Sequence, residues 1–290
     1  VTTDLDEAAV DFGRVRPRLF GIAYRMLGSV QEAEDLVQDV WLKWQAYDRS
    51  TVREPAAFLA TTTTRLAINA SQSARARRET YVGPWLPEPV DTSADPTLGA
   101  ERGEALELAM LVLLEKLSPT QRAAYILREA FDYPYDQIAD IVQLSEANVR
   151  QLVSRSRKRL AEERREPVDK DEQRKLLAAF MAAAQEGDLA TLVELLATDA
   201  VSYSDGGGIV RATKVQLLGA DVIAKVTVAF SGTFWTGSEL TFVEANGGWS
   251  AVASRDGETF VAISISASAD GIDQIQWMLN PEKLAHLSFS

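Results

Sequence analysis

The sequence predicts a multidomain chain: two all-α domains, the second carrying a helix-turn-helix, followed by an α+β domain with a curved antiparallel sheet. Three observations carry this expectation. Apolar residues recur at helical spacing through residues 5–78 and again through 101–165. Between these stretches Gly83, Pro84, Pro87, Pro89, Pro96 and Gly99 crowd together, as in a linker. After Asp199 the pattern changes to period-two alternation broken by turn dipeptides. The expected divisions are 1–80, a linker over 81–100, a second helical domain over 101–165 and the α+β domain over 166–290.

In the first domain, Phe12, Val15, Leu19, Ile22, Ala23, Met26 and Leu27 lie on one helical face. Gly28-Ser29 breaks that run. Ser29 can cap a second helix, and Glu32 completes a capping-box pattern. Val37, Val40, Trp41 and Trp44 form its apolar stripe. Pro55 opens a third helix that runs through Phe58, Leu59, Thr62, Leu66 and Ile68 into Arg75-Ala76-Arg77-Arg78. The linker holds Trp85 and Leu86 among its prolines, and flexible linkers rarely expose tryptophan.

In the second domain, Ser118-Pro119 supplies a cap and a proline at the first helical position. A short helix over 135–142, a turn at Gln143-Leu144-Ser145 and a basic helix capped by Ser145 and reaching about Arg165 fit a helix-turn-helix. Glu166-Pro167-Val168-Asp169 ends the block. Residues 171–197 read as amphipathic helices turning at Gly187-Asp188. Strands are expected over 201–204, 240–243, 249–252 and 260–265, with hairpin turns at Asn246-Gly247-Gly248 and Asp256-Gly257.

Composition narrows the function. The chain has 290 residues, no cysteine and one histidine, His286. Disulfides and cysteine-based zinc sites are excluded, few metal options remain, and no cofactor is expected. No apolar run approaches the roughly 20 residues of a membrane span, and the acidic start lacks a signal-peptide shape. A cytoplasmic protein with no membrane partner is therefore expected. The net charge of −12 argues at first against nucleic acid, but distribution matters more than the sum. Residues 1–166 hold 22 Lys+Arg against 26 Asp+Glu, and residues 167–290 hold 8 against 16. Two basic stripes stand out, one over 53–78 and one over 150–165, through which an acidic protein can still bind DNA.

Three helical segments carry candidate chemistry. Residues 33–41 (Ala33-Glu34-Asp35-Leu36-Val37-Gln38-Asp39-Val40-Trp41) offer an acidic amphipathic face suited to docking on a basic partner, although an ordinary solvated helix has the same pattern. Along residues 58–69 the small side chains of Thr61-Thr62-Thr63-Thr64 leave room for bases. Asn69 can bond a base edge and the arginines after it can hold phosphates; the plain alternative is a basic helix end complementing its own dipole. In the basic helix after the turn, Ser145, Glu146, Asn148 and Val149 would face bases and the arginines would meet phosphates.

The order and spacing of these segments resemble the extracytoplasmic-function (ECF) sigma factors over residues 10–163. The resemblance implies a core-polymerase-binding helix with Asp35, Leu36, Gln38, Asp39, Trp41 and Leu42 at the contact. It implies −10 recognition by Tyr47, Asp48 and Arg49, which begin the loop where the family captures a flipped base, with Arg65, Asn69, Arg75, Arg77 and Arg78. It implies −35 recognition by Ser145, Glu146, Asn148, Val149, Arg150, Arg155, Arg157 and Lys158. The threonines replace an aromatic-rich face of many relatives, and Leu152 stands at an often basic position.

The C-terminal part resembles the SnoaL-like branch of the nuclear-transport-factor-2 superfold, a cone that some ECF sigma factors carry as a fusion. The motifs are Trp85-Leu86-Pro87-Glu88-Pro89, Asp205-Gly206-Gly207-Gly208 and Asn280-Pro281-Glu282-Lys283-Leu284. The resemblance implies a sigma factor, not an enzyme, that directs promoter-specific initiation with core RNA polymerase. The fused domain would regulate it in cis through these motifs, and its cone could hold a small-molecule ligand. One alternative is a DNA-binding regulator fused to a SnoaL-like small-molecule enzyme, with Asp205 as general base if buried; an Asx-type turn at Asp205 is the simpler role. Another is a helix-turn-helix repressor that never touches polymerase. His286 reads as a surface or packing residue, and Trp235, Trp249 and Trp277 as core.

Overall fold

The structure, a computed structural model, describes residues 2–92 and 107–285, so His286 lies outside the described residues. The chain divides into two compact units. The first combines residues up to Glu79 with Met110–Glu163; the second combines residues 80–92, Glu107–Ala109 and the chain from Arg164 onward.

The first unit is helical. Helices α1 (Thr2–Leu27), α2 (Val30–Ala46) and α3 (Pro55–Glu79) pack around Leu19, Ile22, Met26, Val40, Trp44 and Leu59. The Trp44 indole N–H donates to the Ala8 carbonyl at 3.1 Å, which joins α2 to the start of α1. Gly28 takes a left-handed φ of 67° where α1 stops. Ser29 then accepts from the Glu32 N–H at 3.2 Å, while the Glu32 carboxylate pairs with Arg77. A single turn of 3₁₀ helix (Arg49–Thr51) leads into α3.

Helices α4 (Leu108–Leu114), α5 (Pro119–Glu129), α6 (Tyr135–Val142) and α7 (Glu146–Glu163) follow. Ser118 and Gln121 form a complete capping box on α5. Gln143 ends α6 with a left-handed φ of 58°, and Ser145 accepts from the Asn148 N–H, so α6, turn and α7 form the expected helix-turn-helix.

The second unit sets helices α8 (Lys170–Glu186), α9 (Leu189–Leu195) and α10 (Ala220–Phe234) against one sheet, and a last turn of helix, α11 (Pro281–Leu284), follows it. The strands are β1 (Leu196–Asp205), β2 (Leu217–Leu218), β3 (Glu239–Ala245), β4 (Gly248–Arg255), β5 (Glu258–Ser268) and β6 (Gly271–Met278), in the order β2-β1-β6-β5-β4-β3. The sheet departs from the expected wholly antiparallel form at one place: β1 and β6 run parallel, with Ser204 opposite Trp277 and Asp205 opposite Met278. Leu177, Phe180, Met181, Leu192, Ile223, Ile263 and Ile275 fill the space between helices and sheet. Trp235, Trp249 and Trp277 pack at the edge of this core. Asn246 and Asp256 both adopt φ of 53° with glycine next, as the two expected hairpin turns require.

Candidate functional site

The acidic face of α2 is intact. Asp35, Gln38, Asp39 and Leu42 are exposed, and Leu42 keeps 54% of its surface open to solvent. Trp41 is half-buried against Phe12, with ring centroids 5.0 Å apart. Leu36 departs from the expectation: it is buried, because it continues the stripe of Ala33, Val37, Val40 and Trp44 that faces the helical core.

The residues expected at the −10 element divide into open and engaged side chains. Tyr47 is exposed and packs tilted against Phe58, ring centroids 4.5 Å apart; Asn69 and Arg75 are also exposed. Asp48 accepts from the Ser50 N–H and hydroxyl and so caps the 3₁₀ turn, which holds its carboxyl below the usual range. Arg49 donates to the Trp44 and Gln45 carbonyls and caps α2. Arg65 donates to the Asp140 carbonyl at 2.8 Å and the Ile141 carbonyl at 3.0 Å, at the C-terminal end of α6. Arg78 bonds Glu115 and the Leu27 carbonyl, and Arg77 pairs with Glu32. The threonine run does not form an open platform. Thr61, Thr62, Thr63 and Thr64 each donate to the carbonyl four residues back, and Thr63 and Thr64 are fully buried.

Arg65 and Arg78 therefore join α3 to α6 and to Glu115 in the α4–α5 turn. Arg122 does the same from α5, donating to the Met26 carbonyl at 2.7 Å and to Glu115 at 2.6 Å. Arg18 donates to the Phe131 carbonyl at 3.0 Å, and Arg25 lies over the Phe131 ring. None of these long-range partners was evident in the sequence, where Arg65 and Arg78 were expected at −10 DNA and Arg18, Arg25 and Arg122 lay outside both basic stripes.

On α7, Ser145, Glu146 and Asn148 are exposed at the N-terminal turn, where a recognition helix meets bases. Val149 is fully buried and belongs to the core that seats α7 with Val153, Ser156 and Leu160. Arg155 and Lys158 are open to solvent. Arg150 pairs with Glu146 and lies over the Tyr135 ring, and Arg157 pairs with Glu129 on α5 at 2.6 Å. The second basic stripe is shorter than the sequence suggested. α7 stops at Glu163, Arg164 pairs with Glu107, and Arg165 is held by Asp199, Asp270 and Asp273.

The three motifs of the C-terminal part meet at Asp205, which is completely buried at the end of β1. Its carboxylate accepts from the Tyr81 hydroxyl at 2.6 Å, the Leu86 N–H at 2.9 Å, the Gly207 N–H at 3.1 Å and Lys283 Nζ at 2.7 Å. Lys283 also donates to the Leu86 carbonyl at 2.5 Å and lies 4.3 Å from the Trp85 ring centroid. Asn280 caps α11 and donates to Tyr81 at 3.0 Å. Burial and the adjacent carboxylate push the Tyr81 hydroxyl far above its ordinary pKa. Leu86, Pro87, Glu88 and Pro89 are buried on the sheet, Trp85 is half-buried, and Leu284 is buried beside Lys283. Residues 80–92 thus form a strap on the C-terminal unit, which ends by pairing with the β3–β4 turn: the Val90 N–H donates to the Asn246 side chain and the Asn246 N–H to the Val90 carbonyl.

The glycines after Asp205 are sterically required. A Cβ on Gly206 would lie 2.4 Å from the Val210 carbonyl oxygen; one on Gly207 would lie 2.5 Å from the Asn280 side chain. Gly208, with φ of 75°, backs onto Val82. Asp205 does close the expected Asx turn, and its carboxylate is fully engaged by Tyr81, Leu86, Gly207 and Lys283. Tyr81 was missed in the sequence because the recognisable motif starts at Trp85. Among the described residues no His/Asp/Glu group is placed to hold a metal ion, and no helix is long and apolar enough to cross a membrane.

Comparison with known proteins gives this geometry its context. The Sigma-70 region 2 model matches residues 12–78, and the Sigma-70, region 4 model matches residues 107–160. The ECF RNA polymerase sigma factor SigJ of Mycobacterium tuberculosis is 37% identical over 220 residues, 74% of this chain and 70% of that protein. The probable ECF RNA polymerase sigma factor SigI of the same species is 32% identical over 185 residues, 62% of this chain and 64% of SigI. The crystal structure of M. tuberculosis SigJ superposes with a TM-score of 0.76 at 29% identity, covering 96% of this chain and 98% of SigJ. A region-2 helical segment followed by a region-4 helix-turn-helix defines a sigma factor. This chain belongs to the ECF sigma factor family, and its helical domains followed by an α+β sheet domain match the SigJ architecture.

Proposed function

We propose that this sigma factor docks on core RNA polymerase through α2, reads −10 and −35 promoter elements through α3 and α7, and is regulated in cis by its C-terminal unit. The docking face comprises Asp35, Gln38, Asp39 and Leu42, the exposed members of the acidic stripe. Tyr47, Asn69 and Arg75, all exposed, would meet the −10 element. Ser145, Glu146 and Asn148, exposed at the start of α7, would meet −35 bases, with Arg155 and Lys158 on phosphates. Arg65 and Arg78 reach DNA only if the contacts between the two promoter-reading segments open.

The regulatory reading is carried by one observation: Asp205 binds Tyr81, Leu86 and Lys283 at once. The strap of residues 80–92 lies in sequence between the two promoter-reading segments. Gripping it shortens the free tether between them and so limits where region 4 can go once region 2 is placed. Releasing it lengthens that tether. The grip therefore biases promoter engagement without requiring a separate inhibitor.

The test is transcription from a cognate promoter by holoenzyme containing the full chain, a truncation ending near residue 166, or a truncation removing residues after Leu279. Each truncation is expected to change transcript yield relative to the full chain. Equal yield from all three overturns cis-regulation.

A further inference from the structure

We infer that the aromatic-walled pocket of the C-terminal unit binds a flat, apolar organic anion, and that its occupancy is transmitted to the strap at residues 81–86. The pocket has a volume of about 270 Å³, room for roughly two to three fused or linked rings. Phe230, Phe234, Trp235 and Trp277 form its walls. Flat aromatic surfaces of this kind favour a planar ligand that stacks or packs edge to face.

The polar groups select the rest of the ligand. Arg211 is the only charged residue among those lining the pocket in the described structure. Its guanidinium is exposed and lies 5.9 Å from the Phe230 ring centroid, so it can turn toward an anion at the mouth. Ser202 and Ser204 line the floor from β1. Thr213 also lines the pocket, and its hydroxyl is buried without a hydrogen-bond partner in the protein. Turned about its Cα–Cβ bond toward the pocket, that hydroxyl would gain a partner from a bound ligand. With no acid in the lining, a cationic ligand finds no partner.

The path to the strap is short and continuous. Ser204 faces the pocket and Asp205, the next residue of the strand, faces the strap. Trp277 and Leu279 line the pocket, while Asn280 and Lys283 bind the strap. The loop after β1 begins with Gly206-Gly207-Gly208, packed against Asn280 and Val82, and ends with Arg211-Ala212-Thr213 on the pocket wall. Gly83 backs onto Thr213: a Cβ added to it would lie 3.6 Å from the Thr213 carbonyl oxygen. A ligand that draws Arg211 and Thr213 inward moves a loop that the strap touches on both sides. It shifts the grip to the extent that it binds one loop position better than the other. The pocket's link to transcription rests on the cis-regulatory reading above.

The experiment uses the full chain, 8-anilinonaphthalene-1-sulfonate as the anionic probe and N-phenyl-1-naphthylamine as its uncharged counterpart. Saturable binding of one sulfonate probe per chain is expected, with quenching of tryptophan emission. Arg211→Gln should weaken the sulfonate about tenfold and leave the uncharged probe nearly unaffected. Thr227→Trp should fill the pocket and remove binding of both; its melting temperature checks that it folds. Sulfonate affinity unchanged by Arg211→Gln, or sulfonate binding retained by Thr227→Trp, overturns the site. The coupling is read by amide hydrogen exchange of residues 81–86, expected to change about threefold with saturating sulfonate and not in Thr227→Trp at the same probe concentration. Unchanged exchange in the saturated wild type overturns it. A chain that passes these tests while the truncations transcribe alike would remove cis-regulation and leave the site standing.

Discussion

Lys283 and Asp205 form an ion pair 2.7 Å long in which the Asp205 side chain has no exposed surface and that of Lys283 has 8%. Such a pair is maintained only where further hydrogen bonds satisfy both groups. Here Tyr81, Leu86 and Gly207 complete the carboxylate, and the Leu86 carbonyl with the Trp85 ring completes the ammonium. Four of these five partners are not on the elements that carry the pair but on the strap.

Asp205→Ala and Lys283→Ala should each destabilise the C-terminal unit by about 3–5 kcal/mol, because each leaves an unpaired buried charge. The double variant should cost less than the two singles combined. Urea unfolding followed by tryptophan emission measures this, since Trp85 lies against Lys283. Limited proteolysis should cut near residues 80–92 in the single variants first. Losses below about 1 kcal/mol would mean that the grip is weak.

Reversing Asp35 and Asp39 together to Lys should abolish holoenzyme formation while leaving helical content unchanged. Both carboxylates are exposed, so their removal disturbs no core contact. Co-elution of the double variant with core polymerase in size-exclusion chromatography would show that α2 is not the docking face.

An exposed and a buried position of α7 should behave in opposite ways. Arg155→Ala should leave stability unchanged, weaken promoter binding by holoenzyme on all sequences and lower the salt slope by about one charge. Val149→Ala should lower stability by about 2 kcal/mol, because it empties a fully buried site. Equal salt slopes for wild type and Arg155→Ala would remove that arginine from the phosphate contacts.

What the sequence allowed to be read follows from what is local. Ser118-Pro119, Gln143 with Ser145, and Asn246-Gly247 act through neighbours in the chain, and each forms the cap or turn expected of it. Two of the longer elements escaped. α10 is rich in Val222, Ile223, Val226, Thr227 and Val228, has no side-chain cap at Gly219, and so reads locally as strand; packing of Ile223 and Ala224 on the core holds it helical. β6 follows the tight turn at Asp270-Gly271, and its alternation of Ile275 and Trp277 with Gln274 and Gln276 was the available signal. In the sites, exposure followed the helical pattern at Asp35, Asp39, Ser145 and Asn148. Leu36 and Val149 were placed at binding faces although the same pattern put them in the core. The arginines were least legible, since a guanidinium reaches across the fold: Arg65 finds Asp140 and Ile141, and Arg165 finds Asp199 and Asp273.

Glu115 gives the first unit an acid-sensitive joint. Burial opposes ionisation of its carboxyl, but the guanidiniums of Arg122 and Arg78 outweigh burial and hold it below its ordinary value of 4.5. The unfolded chain takes up this proton near 4.5, whereas the folded chain resists until lower pH. The contribution is therefore complete above the ordinary value and is lost as pH falls through the depressed folded value. Several other carboxylates are also held low, among them Asp48, Asp188 and Asp199, so the whole chain loses stability in acid. Glu115→Gln isolates one of them. It leaves the Arg78 and Arg122 guanidiniums facing one another without the shared anion, so the variant should melt lower than wild type at pH 7. The gap between the two melting temperatures should hold down to about pH 5, narrow below 4.5 and close once Glu115 is protonated in the folded wild type. Thermal melts of both proteins between pH 7 and pH 3 measure the gap. A gap that stays constant over that range would mean that the Glu115 carboxylate does not bind the two arginines as an anion.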